Sequence, residues 1–269
     1  MGRIHPTAII DDGARLGADV AIGPYSIVGG AVEIGDGVVL GSHVVVGGRT
    51  TVGARTRISS FAAIGGEAQD LSYRAEGSAV SIGPDCLIRE YATIHGGTAK
   101  GRGTTTVGAN CFLMIGAHVA HDCLVGDHVI LTNQATLGGH AEIGDYAILG
   151  GLAAVQQRTR IGAHAFVGGL TGVTRDVVPF VMVSEHRAQL AGINATGLKR
   201  RGFDHQTIQA VRATYNAFFF STGPRAERIA RVAERFGDVP AVRQFIEFLR
   251  ASGDRPITLP RRRAMDIED

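Results

Sequence analysis

The sequence has little of three things: cysteine, net charge and long hydrophobic runs. Its three cysteines, an odd number in 269 residues, do not form a disulfide framework, so we expect a reducing, cytoplasmic location. A formal net charge of +2 argues against nucleic-acid binding. No apolar run approaches the roughly 18–20 residues that span a bilayer, and residues 1–10 lack the apolar core of a signal peptide. We therefore expect no stable membrane insertion.

What the sequence has in excess is glycine, 38 residues, together with a period of six. Every sixth residue is Ile, Leu or Val from Ile4 to Ile64, from Ile82 to Ile94 and from Val107 to Val173. Glycine follows this aliphatic anchor in most repeats. A period of six fits neither an α-helix nor a simple amphipathic strand. It predicts a short strand followed by a tight corner, and three such units close a triangular coil of about 18 residues.

This pattern resembles that of the hexapeptide-repeat proteins, and the resemblance implies a mainly β fold, a left-handed parallel β-helix. We assign residues 1–180 to the β-helix and interpret the two interruptions, 66–80 and 96–106, as loops that protrude from its corners. Loops on a rigid scaffold often carry binding residues. Residues 181–198 are predicted as a transition segment and residues 199–269 as a small α-helical C-terminal domain.

Helical periodicity replaces the period of six in the C-terminal domain. A first helix is predicted behind Asp204, a residue type that suits an N-cap. Its apolar face consists of Ile208, Val211, Tyr215 and Phe218. A second helix is predicted from Pro224, a residue favoured in the first turn, through Phe236, and a third over residues 242–249.

The repeat also predicts which way side chains point. Strand alternation places the anchor and the residue two before it inside the coil, and the residues one before and two after it outside. His118 and His121 flank the anchor Val119 and are therefore predicted to point outward. The cysteines fill the small inward position, so we interpret all three as buried structural thiols: Cys86, Cys111 and Cys123.

One edge of the coil collects polar residues. Asp122, His140 and Arg158 are 18 residues apart and are predicted to stack. An Asp beside an imidazole can orient the ring and stabilise its protonated form, as a general base requires. Gly139 lies next to this cluster, and its backbone amide can donate to a developing oxyanion. The pattern therefore favours catalysis.

Two other interpretations of these histidines stay open. Outward histidines often belong to a solvated or interface surface. Alternatively, histidines from adjacent faces can bind zinc, and the candidate ligand sets are His118, His121 and His140, or His128 and His164. Because their spacing is not diagnostic, we predict no metal site.

Several stretches carry a closer resemblance: HPTAI, IGPYSIVG, QDLSY, TIHGGT, LMIGAHVAHDC, NQATLGGHAEI, GGLAAVQQ, IGAHAFVGG and GLKRRGF. Together they span nearly the whole chain and resemble the acyl-ACP–UDP-N-acetylglucosamine O-acyltransferases, which begin lipid A synthesis. The resemblance implies transfer of a 3-hydroxyacyl chain from acyl carrier protein to the 3-hydroxyl of UDP-N-acetylglucosamine. It also implies a cytoplasmic homotrimer with its sites between subunits and no metal or cofactor.

The resemblance implies roles for individual residues. His121 matches the general base, Asp122 its paired carboxylate and Gly139 the oxyanion-hole amide. Gly169 matches a position that limits acyl length, and a glycine there implies a long groove. The remaining matches, to sugar, nucleotide, acyl-chain or carrier contacts, are Asp70, Ser72, His95, His118, His140, Gln156, Gln157, Asn194, Arg200 and Arg201. The basic run 199–201 also suits docking of an acidic carrier protein, although it equally suits a charge cluster at the start of a helix.

The chain departs from the family pattern at four positions. Ser72 replaces a frequent Lys, Gln156 and Arg187 each replace a His, and Thr196 replaces a Glu that contacts the nucleotide. These departures leave the proposed base intact but change the sugar and nucleotide pocket. Four alternatives therefore stay open: a 3-amino UDP-sugar acceptor, a related acetyl-CoA-dependent transferase, a zinc-dependent hydratase and a catalytically dead paralogue.

Overall fold

The computed structural model describes residues 3–75 and 77–261, which form a long stack of short strands followed by helices. In chain order the strands are β1 (Ile9–Ile10), β2 (Arg15–Leu16), β3 (Ala21–Ile22), β4 (Ile27–Val28), β5 (Glu33–Ile34), β6 (Val39–Leu40), β7 (Val45–Val46), β8 (Arg49–Val52), β9 (Arg57–Ile58), β10 (Ala63–Gly66), β11 (Ala79–Ile82), β12 (Leu87–Ile88), β13 (Thr93–His95), β14 (Thr104–Val107), β15 (Phe112–Leu113), β16 (His118–Val119), β17 (Leu124–Val125), β18 (Ile130–Leu131), β19 (Thr136–Leu137), β20 (Glu142–Ile143), β21 (Ile148–Leu149), β22 (Ala154–Val155), β23 (Arg160–Ile161), β24 (Phe166–Val167), β25 (Gly172–Val173), β26 (Val181–Ser184) and β27 (Gln189–Ile193).

Successive strands belong to three different sheets, so the chain coils around a triangular prism. The first face contains every third strand from β1 to β25, the second every third strand from β2 to β23, and the third every third strand from β3 to β24, followed by β26 and β27. Among residues 3–75 and 77–261, all pairings between coils are parallel, and only β26 and β27 pair antiparallel. The predicted left-handed parallel β-helix is confirmed.

The anchors form the core of the prism. From Ile22 to Val173 every anchor is buried, and so is the small residue two positions before it, including the three cysteines. The interpretation of the cysteines as buried thiols is confirmed. The first anchors, Ile4, Ile10 and Leu16, are not fully buried, because no coil lies beneath the first one to cover them.

The corners use the left-handed backbone region for residues other than glycine. Asp122, His140 and Arg158 have φ of 59°, 60° and 62°. Asp and His are among the residue types enriched at positive φ, since their short polar side chains compensate part of the steric cost. On the edge that carries Asp122, His140 and Arg158, three successive corners therefore place a polar side chain at the same position.

Two loops leave the coil where the period breaks. The first runs from residue 67 to 78, between β10 and β11, and the second from 96 to 103, between β13 and β14. Both end earlier than the sequence indicated, because β11 and β14 are four-residue strands. Residues 96–98 of the second loop are buried, so this loop turns back over the coil instead of projecting into solvent.

Within the described part of the chain, four helices follow the β-helix: α1 (Ala195–Arg200), α2 (His205–Phe219), α3 (Arg225–Phe236) and α4 (Pro240–Ala251). Asp204 caps α2 by accepting a hydrogen bond from the N–H of Thr207 at 2.6 Å, as predicted, and the predicted apolar face of α2 is buried. Pro224 precedes α3 as its N-cap, and Pro240 begins α4. The apolar periodicity of the sequence did not predict α1, which has only 6 residues.

An ion cluster centred on a buried carboxylate ties the segment after α4 to the prism. Asp176, 2 % exposed, accepts hydrogen bonds from Nε of Arg160 at 2.9 Å and Nε of Arg255 at 3.0 Å. Arg255 also donates to the main-chain carbonyl of Arg158. These contacts hold the segment after α4 against the edge that carries Arg158. Among the described residues, no helix is long and apolar enough to cross a membrane.

Candidate active site

The polar stack lies on the edge between the first and second faces, hereafter the first edge. The N–H of His140 donates to the carbonyl of His121, and the N–H of Arg158 to the carbonyl of Gly139, both at 2.9 Å. Asp122, His140 and Arg158 therefore occupy the same corner position in three successive coils, which are about 4.8 Å apart. The predicted stacking is confirmed.

His121 and Asp122 form a hydrogen-bonded pair. Nδ1 of His121 lies 2.9 Å from Oδ2 of Asp122, and the two residues are 6 % and 0 % exposed. Because an ionised carboxylate only accepts hydrogen bonds, Nδ1 carries the proton and Nε2 of the neutral ring presents a lone pair. His140 packs edge-to-face on His121, with its Nε2 3.8 Å from the same Oδ2. His121 lies outside the apolar core of the coil, as predicted, but it is buried there and not solvated.

The second loop covers the carboxylate of Asp122. The N–H of Thr98 lies 3.1 Å from both carboxylate oxygens, and its hydroxyl donates to Oδ2 at 2.7 Å. The N–H groups of Arg102 and Gly103 donate to Oδ1 at 2.7 and 3.1 Å. We call these contacts of residues 98–103 the carboxylate clamp. Sequence reasoning missed it entirely.

The 18-residue spacing of the coils predicts part of the carboxylate clamp. Thr104 precedes Asp122 by one coil, so the loop that ends at Gly103 meets the prism directly beneath the carboxylate. Gly101 allows the close approach, since a Cβ there would lie 2.5 Å from Oδ2 of Asp122. The direction in which the loop folds depends on contacts that do not repeat along the sequence, so the repeat does not predict it.

The clamp and the histidine keep Asp122 charged. Burial alone raises the pKa of this carboxyl, but the hydrogen bonds from His121, Thr98 and Arg102 outweigh it and hold the pKa below its usual range. Asp122 is therefore an anion at neutral pH. It can stabilise an imidazolium next to it without taking the proton itself.

Gly139 lies directly against the ring of His121. A Cβ at this position would lie 2.5 Å from Cε1 of His121, so only glycine leaves room for the ring. Among the described residues, the N–H of Gly139 has no hydrogen-bond acceptor. The base nitrogen and a free main-chain donor thus lie side by side.

A second histidine pair lies on the first face. The rings of His95 and His118 are 5.2 Å apart and nearly perpendicular, and Nδ1 of His118 lies 2.7 Å from Oγ1 of Thr93. Burial lowers the pKa of both histidines, so both are neutral at pH 7. Nδ1 of His95 is buried without a hydrogen-bond partner among the described residues. A neutral polar pair with unused hydrogen-bonding capacity suits recognition of hydroxyl groups.

The first loop places Asp70 in the electrostatic field of the same site. Its carboxylate accepts a hydrogen bond from the N–H of Ser72 at 2.7 Å, and this bond, more than the charges of His121 and Lys100, lowers the pKa of Asp70. Asp70 thus interacts electrostatically with His121. The main chain of Ser72 orients it.

The other predicted contact residues lie on different edges. Gln156 and Gln157 are exposed one coil above Gly138, beside the first edge, whereas Gly169 is at the corner between the third and first faces. Asn194 and Arg201 lie near the edge between the second and third faces. One chain therefore does not bring all of them together.

Two of these residues are engaged within the chain. Asn194 caps α1 by accepting from the N–H of Gly197 at 3.1 Å, and its Nδ2 donates to the carbonyl of His164 at 2.9 Å. Arg201 donates to the carbonyl of Tyr146 at 2.6 Å. Arg200 is exposed at the end of α1. Asn194 and Arg201 thus fix α1 on the prism, and Arg200 is the more accessible cation.

His121, Asp122 and His140 also form a cluster whose potential ligand atoms lie within 4.8 Å of one another. The hydrogen bonds of Asp122 argue against a metal there. Both carboxylate oxygens already accept from N–H and O–H donors, which occupy the lone pairs that a cation needs. The geometry favours proton transfer over metal binding.

Comparison with known proteins places these features in a family context. Residues 176–258 match the profile of the second domain of UDP-N-acetylglucosamine O-acyltransferases, and residues 13–48 and 104–139 match that of bacterial transferase hexapeptide repeats. An acyl-[acyl-carrier-protein]–UDP-N-acetylglucosamine O-acyltransferase from Azorhizobium caulinodans is 50 % identical over 99 % of this chain and 98 % of its own length. The enzyme of the same name from Caulobacter vibrioides is 54 % identical over 76 % of this chain and 77 % of its own.

Solved structures agree. The crystal structure of UDP-N-acetylglucosamine O-acyltransferase from Moraxella catarrhalis is 39 % identical and superposes with a TM-score of 0.91. The superposition covers 96 % of this chain and 99 % of that one. The similarity thus includes both the prism and the helical region.

Proposed function

The chain belongs to the acyl-[acyl-carrier-protein]–UDP-N-acetylglucosamine O-acyltransferase family, and from this premise we propose how its own residues carry out the transfer. The enzyme moves an acyl chain from acyl carrier protein to UDP-N-acetylglucosamine in lipid A biosynthesis. The observation that carries the proposed mechanism is the position of His121, whose Nδ1 is held by Asp122 while its ring lies against Gly139.

In the proposed mechanism His121 is the general base. Nε2 takes the proton from the 3-hydroxyl of the sugar as that oxygen attacks the thioester carbonyl of the donor. Asp122 stabilises the imidazolium that forms. The N–H of Gly139 donates to the oxyanion of the tetrahedral intermediate, and the proton then passes to the leaving thiolate of the carrier.

These two effects suffice without a metal or cofactor. General-base catalysis contributes roughly 10²–10⁴ in rate, and an oxyanion donor about 10²–10³. Burial of His121 and Asp122 supports both contributions, because electrostatic interactions are stronger where water is excluded.

We further propose that the protein is a homotrimer with its sites between subunits. The residues matched to substrate contacts lie on different edges of one prism, so a neighbouring copy is needed to bring them to one site. From Leu87 onward the outward row of the third face is apolar and suits such packing: Leu87, Phe112, Ile130, Ile148, Phe166 and Met182. A closed trimer fits the triangular cross-section.

The substrate details are also proposals. We expect a 3-hydroxyacyl donor, and a long acyl groove because Gly169 offers no side chain to shorten it. His95, His118 and Asp70 are proposed to bind the sugar and acyl chain, and Arg200 the nucleotide or the carrier. The changes at Ser72, Gln156 and Thr196 keep a 3-amino UDP-sugar as the second candidate acceptor. A cytoplasmic location agrees with the three free thiols.

The test is substitution of the base. His121→Ala is expected to lower turnover of acyl carrier protein and UDP-N-acetylglucosamine by roughly 10²–10⁴ while the protein stays folded, because the proton acceptor is lost. His205→Ala, which removes an exposed histidine of α2, serves as the matched control and is expected to keep full turnover. Circular dichroism checks folding, and mass spectrometry identifies the product.

Two results would contradict the proposal. Retained turnover in His121→Ala would show that another group is the base. No turnover of the wild type with any acyl donor, on either the N-acetyl or the 3-amino sugar nucleotide, would support the catalytically dead paralogue.

A further inference from the structure

The carboxylate clamp is more extensive than is needed to hold a loop on the prism. Its donors converge on one carboxylate, and the Thr98 hydroxyl donates to Oδ2, the oxygen that also accepts from Nδ1 of His121. Two donors to one carboxylate oxygen compete for the same electron density. Thr98 therefore influences how strongly Asp122 binds a protonated imidazole.

We infer that Thr98 is a positioning residue of the active site, whose hydroxyl holds Oδ2 of Asp122 in place and limits the basicity of His121. The inference rests on the proposed roles of His121 and Asp122. The Thr98 hydroxyl and Nδ1 of His121 both donate to Oδ2 of Asp122. The His121 ring is thereby fixed in direction, and its other nitrogen, Nε2, is left to act as the base.

The surrounding structure supports a built arrangement. Thr98 is 5 % exposed, and Gly97 and Gly101 are the residues at which a side chain would strike the carboxylate. Arg102 locks the loop from the other side by donating to the carbonyl of Asp122 at 2.8 Å and by pairing with Glu142 of the next coil. The loop is thus held by Arg102 and Gly103 as well, and the hydroxyl of Thr98 can be removed without releasing the loop.

Other charged and titratable groups also act on His121 and stay unchanged when Thr98 is replaced. Asp70, His95 and His140 interact electrostatically with His121 itself. The groups that act on these three or lie beside them are Lys100, Arg102, His118, Glu142 and Arg158. A change measured in a Thr98 variant therefore reports on the hydroxyl alone.

The test compares Thr98→Val, which keeps the shape but loses the donor, with Thr98→Ser, which keeps the donor. The control is Thr106→Val, on the strand that follows the loop. Without the hydroxyl, Oδ2 concentrates more negative charge and stabilises the imidazolium. The acidic limb of the pH profile of kcat/KM for Thr98→Val is then expected to move up by about 0.5–1 pH unit, a fraction of one charged hydrogen bond. At neutral pH kcat falls roughly tenfold with KM unchanged, because the base is also less well oriented.

Thr98→Ser and Thr106→Val are expected to follow the wild-type profile. NMR titration of histidine in the full-length protein without substrates gives a second readout, in which the imidazole signal that disappears in His121→Ala titrates at higher pH in Thr98→Val. If Thr98→Val fails to fold, Gly101→Ala disturbs the carboxylate from the other side and is expected to alter the same limb. Its matched control is Gly47→Ala, where a Cβ meets no atom within 4 Å.

A wild-type profile and titration in Thr98→Val would overturn the inference. That failure is distinguishable from failure of the proposed function. If only the inference is wrong, His121→Ala and Asp122→Asn still abolish turnover; if the mechanism is wrong, those two variants stay active.

Discussion

At the scale of single residues, one glycine decides how the base is placed. The contact with His121 requires a glycine at position 139. The backbone does not require one, because φ of Gly139 is not positive and any residue could adopt its conformation. The ring of His121 occupies the space where a side chain would lie. The proposed base, His121, and the proposed oxyanion donor, the N–H of Gly139, lie on neighbouring coils. Both roles therefore depend on the absence of a side chain at residue 139.

Gly139→Ala is expected to lower kcat by about 10²–10³, because the added methyl group displaces the His121 ring and moves the base away from the oxyanion donor. Steady-state kinetics with acyl carrier protein and UDP-N-acetylglucosamine measures the loss. The control is Gly47→Ala, which adds a methyl group in open space on the same prism. Unchanged kcat in Gly139→Ala would show that neither the ring position nor this amide matters to the reaction.

At the scale of elements, an aromatic stack joins the β-helix to the helices. Tyr146 and His164 stack at 4.9 Å and His164 and Phe180 at 5.4 Å along the edge between the second and third faces, and Phe203 packs edge-to-face on His164. Burial, with a smaller effect of Arg201, lowers the pKa of His164 to about 4. A neutral imidazole is therefore part of the contact between the prism and the segment before α2.

The sign of the pH dependence follows from this shift. In the unfolded chain a histidine titrates near 6.5, so between about 6.5 and about 4 the unfolded state binds the proton more readily. The stabilisation by neutral His164 is complete above that window and is lost as the pH falls through it. The unfolding temperature is expected to decrease from pH 7.5 to 4.5, and less steeply in His164→Phe.

Differential scanning calorimetry at several pH values measures these slopes. His205→Gln, an exposed histidine in α2, serves as control and is expected to follow the wild type. Because burial also lowers the pKa of His95, His118 and His140, the wild type combines several contributions. The difference in slope between His164→Phe and the wild type isolates the contribution of His164. Identical slopes would show that a lowered pKa of His164 does not contribute to the pH dependence of stability.

At the scale of the whole molecule, the three edges of the prism determine what one chain can do alone. The first edge carries the proposed base, whereas Arg200 is the last residue of α1, next to Arg201, which contacts the edge between the second and third faces. If sites lie between subunits, His121 of one chain works with Arg200 of another. A single chain then has all the residues of a site but not in one place.

Complementation between inactive subunits tests this arrangement. His121→Ala and Arg200→Ala are each expected to have low activity, whereas co-expressed subunits mixed at random recover about a quarter of wild-type activity, because a quarter of the interfaces combine both intact residues. Sedimentation analysis confirms the assembly state. Mixed assemblies without recovered activity would place both residues of a site in one chain, and full activity of Arg200→Ala alone would remove Arg200 from the site.

The sequence by itself determined the features that repeat at regular spacing along the chain. Six-residue spacing defines strands, corners and buried anchors, and 18-residue spacing stacks Asp122, His140 and Arg158, since residues one coil apart are hydrogen-bonded neighbours. The family resemblance assigned His121 as the base. The helices α2, α3 and α4 follow from their own apolar spacing. These features depend on local or regularly repeated contacts, which a linear pattern records.

Tertiary structure alone decided the features without a period. The direction of the second loop, the donors from Thr98, Arg102 and Gly103, the burial of His121 and the capping of α1 by Asn194 all depend on contacts between segments whose spacing occurs once in the chain. Such contacts are selected by the shape and hydrogen-bonding needs of the folded surface. For that reason the sequence predicted the proposed base and its partner, whereas only the fold showed what holds that partner in place.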